Sequence, residues 1–308
     1  MRILITGSQG TIGKPLCEEL RKRGHEVFGC DLFHQKNDNY IRADISNYRQ
    51  MEKVFLSVGR LDYVYHLAAE FGRINGEEYY ETLWQTNVIG TRNILELQKV
   101  HGFKLIFASS SEIYSGDHSN FYLHEDLPLT TSLFQNNDYA ISKWVNELQI
   151  MNFEKRHGNQ CVRLRFFNAY GPGEGYHSYR SVVCLFCYRA LHGLPWTVYE
   201  RYHRVFMYID DFIPTLANVC ENFIPGEVYN IGGREYRSVK ELSDLVLNYT
   251  MANMDLVEYL PEDKHNVVNK KPDIQKAIKQ FGHDPKTTLE EGIPKTIEWM
   301  RRIYGRTI

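Results

Sequence analysis

Met1-Arg2-Ile3-Leu4-Ile5-Thr6-Gly7-Ser8-Gln9-Gly10-Thr11-Ile12-Gly13 opens the chain with a short apolar run that passes directly into three glycines spaced three apart. The run has the length and residue types of a buried strand, and the stretch from Ile12 to Arg23 has those of a helix, so the order implied is strand, glycine turn, helix. Gly7 permits a sharp turn, Gly10 lets backbone approach a pyrophosphate, and Gly13 lets the helix pack closely on the strand. The helix amino terminus, with Thr11 and Ile12 in the turn before it, then faces an anion. A second strand, Glu26-Val27-Phe28-Gly29-Cys30-Asp31, ends in an acid 18 residues after Gly13. That is close to the roughly 20 expected of a carboxylate that binds the adenine ribose hydroxyls, and Asp31 argues for NAD over NADP.

Further apolar runs at Tyr63 to Leu67, Lys104 to Ala108 and Val162 to Phe166 alternate with helical stretches near Glu78 to His101 and Ala140 to Arg156. Such alternation predicts an α/β fold with a doubly wound parallel sheet. In Asn137-Asp138-Tyr139-Ala140-Ile141-Ser142-Lys143, Tyr139 and Lys143 stand four apart on a predicted helix and share a face. An ammonium near a phenol oxygen favours the phenolate, each pKa unit being worth roughly 1.4 kcal/mol. The spacing therefore predicts that Lys143 turns Tyr139 into a base.

With Gln9 where a plain dinucleotide fingerprint carries its second glycine, the chain resembles the extended short-chain dehydrogenase/reductase superfamily, in its NAD-dependent nucleotide-sugar epimerase/dehydratase branch. Ala43-Asp44-Ile45, Tyr65-His66-Leu67-Ala68-Ala69, Asn87-Val88-Ile89-Gly90-Thr91 and Ser109-Ser110-Ser111-Glu112-Ile113-Tyr114 follow that pattern in order. So do Arg165-Phe166-Phe167-Asn168-Ala169-Tyr170-Gly171-Pro172, Tyr208-Ile209-Asp210-Asp211 and Val228-Tyr229-Asn230-Ile231-Gly232-Gly233. The resemblance implies an NAD-binding Rossmann domain over 1–167, to which a segment near 205–233 returns. Residues 168–308 would form mainly a smaller mixed α/β domain for a nucleotide-sugar substrate. It implies NAD contacts from Gly7, Gln9, Gly10, Thr11, Ile12, Gly13, Asp31, Asp44, Ile45, Leu67, Ala68, Ala69, Asn87, Tyr139 and Lys143. By analogy it also implies a homodimer built on helices around Asn87 to Val100 and Tyr139 to Phe153.

The chemistry implied starts with Tyr139 taking a proton from the sugar C4 hydroxyl as hydride passes to NAD, with Ser110 hydrogen-bonded to both and Lys143 on the nicotinamide ribose. From the 4-keto sugar the branch diverges. An epimerase returns the hydride to the other face, a 4,6-dehydratase uses a Glu at C5 beside a second acid, and a glucuronate decarboxylase loses carbon dioxide. Glu112 stands where that Glu would be, but Ser111 replaces the second acid of the dTDP-glucose dehydratases, and the pattern favours a UDP-hexose 4-epimerase. The dehydratase and UDP-glucuronate decarboxylase readings stay open, as does a non-catalytic NAD-sensing regulator. Substrate contacts are expected from Ser110, Ser111, Glu112, Asn168, Arg204 and Arg73. Asn168 and Arg204 would hold the pyrophosphate, while Arg73 would bind a substrate carboxylate or pair with Glu70 or Glu77. Glu112 could instead bridge to Arg73 or Lys143. Two departures bear on the sugar and base: no Gly-Asp-Gly turn precedes Arg204, and a family Arg-Pro-Asp appears as Lys271-Pro272-Asp273.

Composition narrows the class further. With 308 residues, 43% hydrophobic, the chain can bury a large core, and a net charge of −2 argues against a general nucleic-acid surface. No run approaches the roughly 18 apolar residues of a membrane span, and the first strand begins at Met1, so a cytoplasmic protein without a leader is expected. Six scattered cysteines suit a reducing compartment, and no metal site is expected, Cys184 and Cys187 having no second ligand pair nearby.

Overall fold

The computed structural model describes residues 1–115, 122–261, 263, 267 and 269–305. Six strands, β1 (Arg2–Thr6), β2 (Glu26–Asp31), β3 (Tyr40–Arg42), β4 (Tyr63–His66), β5 (Lys104–Ser110) and β6 (Cys161–Phe166), join the strand Val228–Ile231 in one sheet. The order across it is Val228–Ile231, β6, β5, β4, β1, β2, β3, and every pairing is parallel. This is the α/β Rossmann arrangement expected from the sequence.

The strands are apolar at nearly every position because both faces are covered. Leu4, Val64, Leu105 and Phe107 pack into one cluster with Met51, Phe55, Leu97 and Phe153. Their strand neighbours Ile3, Ile5, Tyr65 and Ile106 enter another with Leu16, Leu20, Phe212 and Leu216. Alternate residues of a strand point to opposite faces, so a continuous apolar run is what a doubly covered sheet requires. Two elements absent from the sequence reading, β3 and the helix Tyr48–Val58, lie in a stretch where apolar and polar residues are intermixed. The stretch expected to be helical from Glu78 to His101 is broken into Tyr80–Leu83, a π-helical turn Trp84–Ile89 and Gly90–His101. The predicted second helix is present as Asp138–His157, its first amides capped by the Asn137 side chain, which accepts from Ala140 N at 2.8 Å.

Smaller sheets lie beyond β6. Ala169–Tyr170 pairs with Met207–Tyr208, and Trp196–Tyr199 with Val257–Leu260. His203–Val205 lies between Tyr236–Ser238 and Asn269–Lys270. The apolar cluster containing Ile3 and Tyr65 runs without a break to Trp196, Val198, Leu242 and Met300, so this part shares a core with the large sheet.

Strand order reverses between β1 and β4, and the crevice at their carboxyl ends is where such sheets bind ligands. The two strand ends nearly touch. Gly7 has φ of +72°, and a Cβ there would stand 2.7 Å from Ala68 N. A Cβ on Gly13 would stand 2.1 Å from the Gly7 carbonyl oxygen. Gly13→Ala must push the first helix off the turn; we expect a loss of about 1–3 kcal/mol in thermal unfolding and a weakened NAD affinity by fluorescence titration.

Candidate active site

The glycine turn is held by its neighbours. Gly7 and Ser8 donate their amides to Cys30 O at 2.9 and 3.3 Å, and Gln9 N donates to Asp31 Oδ2 at 2.9 Å. Among the described residues Asp31 Oδ1 accepts the Leu32 amide beside it, at 2.7 Å, which leaves lone pairs for a diol. The helix Gly13–Lys22 starts behind Thr11 and Ile12, with Lys14 N donating to Gly10 O at 3.1 Å, so its head points its positive end at the crevice. A bare backbone cradle, a helix head and a carboxylate at the adjoining strand end together fit the pyrophosphate and ribose of a dinucleotide.

Other predicted cofactor contacts fall around the same crevice. Leu67, Ala68 and Ala69 are half-buried after β4, with Leu67 N and Ala68 N donating to Thr6 O and Thr6 Oγ1 at 3.2 and 3.3 Å. Asp44 Oδ1 accepts from Ser46 N and Ser46 Oγ, both at 2.8 Å. Ile45 is buried, its side chain packed against Gly90. Asn87 is buried, 1% exposed. Its amide donates to Glu70 O and Ser142 Oγ, both at 3.0 Å, and accepts from Glu70 N at 2.8 Å, clamping the loop after β4 to the helix of Tyr139. The π-helical turn Trp84–Ile89 carries this clamp.

Tyr139 and Lys143 lie on one face of their helix beside the end of β5. Lys143, 4% exposed, donates to Ala108 O at 2.9 Å. Burial lowers it to about 8, opposed by the charge of Glu147. Tyr139 corrects the sequence reading. Its phenol is pushed up to about 12, because burial outweighs a lowering hydrogen bond with Ser110 and the Glu112 carboxylate adds to the rise. The Lys143 ammonium is 5.9 Å from the centre of the Tyr139 ring and bonded to Ala108, so in the protein alone it does not make the phenol a ready base. His66, buried between Thr6 Oγ1 (2.8 Å) and Thr91 Oγ1 (3.2 Å), is lowered to about 3 by burial and by Lys143, and stays neutral.

On the other side of Ser110 a charged group assembles. Ser110 Oγ accepts from Glu112 N at 3.2 Å, and Ser111 is buried next to it. Glu112 pairs with neither Arg73 nor Lys143 but with Lys270, which is 1% exposed. Burial raises the Glu112 carboxyl, yet Lys270, Arg204 and Arg73 outweigh it and the group lies below its ordinary value. Arg73 pairs with Asp263 rather than Glu70 or Glu77. Asp263 N in turn donates to the Tyr202 hydroxyl at 3.0 Å. Arg204, 6% exposed, donates to His203 O at 2.8 Å and to Val267 O, and Asn168 Nδ2 donates to Val205 O at 3.1 Å. Glu70, Phe71, Asn75 and Tyr79, with residues 176–180, line a cleft of about 570 Å³. Gly76 lies against Tyr139, where a Cβ would stand 3.6 Å from the tyrosine's own.

Lys270, Glu147 and Asp263 escaped the sequence reading. Lys270 had a signal in its own neighbourhood. The Lys271-Pro272-Asp273 motif drew the eye to Lys271, whose ammonium lies over the Tyr122 ring at 4.3 Å, while Lys270, one residue back in a strand paired with Arg204, turns the other way. Cys184 and Cys187 are buried in the helix Val182–Leu191, and among the described residues no group of three or more His, Cys, Asp or Glu could hold a metal.

Residues 3–232 match the model of the NAD dependent epimerase/dehydratase family. The chain belongs to that family. NAD is its cofactor, and its relatives act on nucleotide sugars. It is 31% identical to the UDP-N-acetyl-alpha-D-glucosaminuronate decarboxylase of Bacillus cytotoxicus, over 98% of each chain. The UDP-glucose 4-epimerase of Thermotoga maritima, solved with UDP-glucose, superposes with a TM-score of 0.89 at 28% identity, covering 99% of this chain and 100% of that one. The UDP-glucuronic acid 4-epimerase of Bacillus cereus, solved with UDP-glucuronic acid and NAD, gives 0.87 at 26% identity, covering 99% and 100%.

Tyr139→Phe removes the phenol oxygen beside Ser110 but no part of the glycine cradle. We expect NAD affinity to change by less than about threefold in a binding titration, while kcat falls on the order of 10²–10⁴-fold in a coupled assay.

Proposed function

We propose that this protein oxidises the sugar of a UDP-uronate at C4 and releases its carboxylate as carbon dioxide. The observation that carries this reading is the Glu112–Lys270 pair, flanked by Arg204 and Arg73, beside Ser110 and Tyr139. Among the described residues Lys270, Arg204 and Arg73 gather around the Glu112 carboxylate. Cations gathered there suit a sugar that carries a carboxylate of its own. The names of two relatives support a uronate: the Bacillus cytotoxicus enzyme is a uronate decarboxylase, and the Bacillus cereus enzyme, a 4-epimerase, holds UDP-glucuronic acid.

Bound NAD supplies the hydride acceptor and returns the hydride at the end. Ser110 orients the C4 hydroxyl against the Tyr139 oxygen, which takes its proton, and Lys143 supplies positive charge below the pair. Once C4 is a ketone, the carboxylate on C5 belongs to a β-keto acid. Its carbon–carbon bond breaks, the electron pair moves into the enolate, and carbon dioxide leaves. Lys270, buried and held down from its ordinary value mainly by burial, is the proton donor placed for C5. Glu112 holds that ammonium in place, and Tyr139 returns its proton to the C4 oxygen as the ketone is reduced.

The 4-epimerase reading retains support from the close likeness to the Thermotoga maritima enzyme and from Ser111, which denies the site a second dehydratase acid. It would need no group at C5, so Glu112 and Lys270 would be idle. The same proposal takes the protein as a cytoplasmic homodimer. Exposed Ile89 and Leu148 near the helices Gly90–His101 and Asp138–His157 suit such packing, and among the described residues no helix is long and apolar enough to cross a membrane.

Incubation with UDP-glucuronate, UDP-N-acetylglucosaminuronate and UDP-glucose, followed by mass spectrometry and NMR, decides between them. Decarboxylation gives a product lighter by one carbon dioxide from a uronate; an unchanged mass with altered ring couplings overturns it in favour of epimerisation. Lys270→Gln is expected to lower kcat/KM for the uronate on the order of a hundredfold or more, since it also leaves Glu112 unpaired.

A further inference from the structure

Beneath the Tyr139–Lys143 pair lies a carboxylate to which no step above assigns a task. Glu147 is four residues beyond Lys143 on the same helix face, with a side chain 0% exposed. The two meet β5 at successive residues. Lys143 donates to the Ala108 carbonyl at 2.9 Å, and Ser109 Oγ donates to Glu147 Oε1 at 2.5 Å. Arg165 of β6 closes on the carboxylate from the other side in a bidentate pair, Nε to Oε1 at 2.9 Å and Nη2 to Oε2 at 2.8 Å. The guanidinium is itself pinned by donating to the Tyr114 hydroxyl at 2.8 Å and to Glu125 O at 2.6 Å. Tyr114 passes the chain on to Asn230 Oδ1 at 2.6 Å, in the last strand of the sheet. A buried ion pair of this kind is seldom a net gain in stability over apolar packing, so it invites another explanation.

We propose that Glu147, fixed by Ser109 and Arg165, acts through Lys143 by keeping its buried ammonium protonated for the reaction. A cation withdrawn from water loses its proton unless a negative charge stands nearby, and Glu147 is placed to supply that charge without bonding to the amine. Its oxygens are occupied by Ser109 and Arg165, so the ammonium keeps its remaining hydrogens for the cofactor side. The groups facing Lys143 from each packed element agree with this. From its own helix come Tyr139 and Glu147, from β4 the neutral His66, and from β5 the Phe107 ring at 5.2 Å and the Ala108 carbonyl. From β6 Arg165 and the more distant Arg163, 3.9 Å from Glu147 Oε2, lie behind the carboxylate. The same burial that depresses the amine makes the carboxylate's field strong, because little water screens it.

The inference rests on Tyr139 and Lys143 as the working pair but on no particular sugar, and it is tested without one. Lysine labelled with carbon-13 at Cε is incorporated into the NAD-bound protein, the Lys143 signal is assigned by its loss in Lys143→Arg, and its midpoint is followed from neutral to alkaline pH. Glu147→Gln, which keeps the shape and one acceptor for Arg165, is expected to lower the midpoint by about one unit or more, and Glu147→Asp to restore most of it. With a substrate, the alkaline limb of kcat/KM should move to lower pH by the same amount, whereas a merely structural role would lower activity equally at every pH. An unchanged midpoint in a Glu147→Gln protein that still binds NAD overturns the proposal. So does a midpoint well below neutrality in the unaltered protein, a measurement that needs no variant to fold. Failure of every nucleotide sugar to react would refute the proposed reaction while leaving the midpoint comparison intact.

Discussion

An ammonium group sealed between a helix and the middle of a parallel sheet is the constraint around which the rest is arranged. Lys143 can remain charged only if β5 offers it a carbonyl and its surroundings offer it an opposing charge. Ala108 and Glu147 meet those needs, and to do so the helix Asp138–His157 must lie along β5 in one register. That register also sets Tyr139 beside Ser110 and Ser142 under Asn87, which in turn fixes the loop leaving β4. One electrostatic requirement therefore positions the Tyr139 phenol, the Asn87 clamp and the near edge of the cleft.

The second organising contact is made across the chain. Glu112 follows β5, while Lys270 lies 158 residues later on a two-residue strand against His203–Val205. Lys270 is buried and takes its opposing charge from Glu112, which also feels Arg204 and Arg73. The small three-stranded sheet earns its place in the architecture by carrying Lys270 and Arg204 side by side to the end of the large one. Asp263 does the same for Arg73 from a neighbouring stretch.

Local features were legible in the sequence wherever a single segment carries its own physics. The glycine turn, the alternation of apolar runs with helical stretches, and the i, i+4 relation of Tyr139 and Lys143 all belong to that class. The helix Tyr48–Val58 and the strand Tyr40–Arg42 were missed because their apolar content is spread among Asn, Arg and Gln. The partners of Glu112 and Arg73 were missed for a different reason. A pair separated by more than a hundred residues leaves no spacing to read. The raised phenol of Tyr139 shows the same limit in energetic form: the sequence supplied the nearby charge, but only the fold reveals how much burial that charge must overcome.

The unbroken apolar cluster from Ile3 and Tyr65 to Trp196 and Met300 has a mechanical consequence. Two bodies welded along such a seam cannot swing apart like the jaws of a hinge without exposing it to water, at a cost that grows with every ångström of opened surface. The rim of the cleft is held differently: Phe71 stacks on Arg180, Tyr79 meets the Tyr179 ring and Glu78 accepts from the Tyr179 hydroxyl. Those contacts are polar and partly wetted, so parting them would expose far less apolar surface than parting the seam.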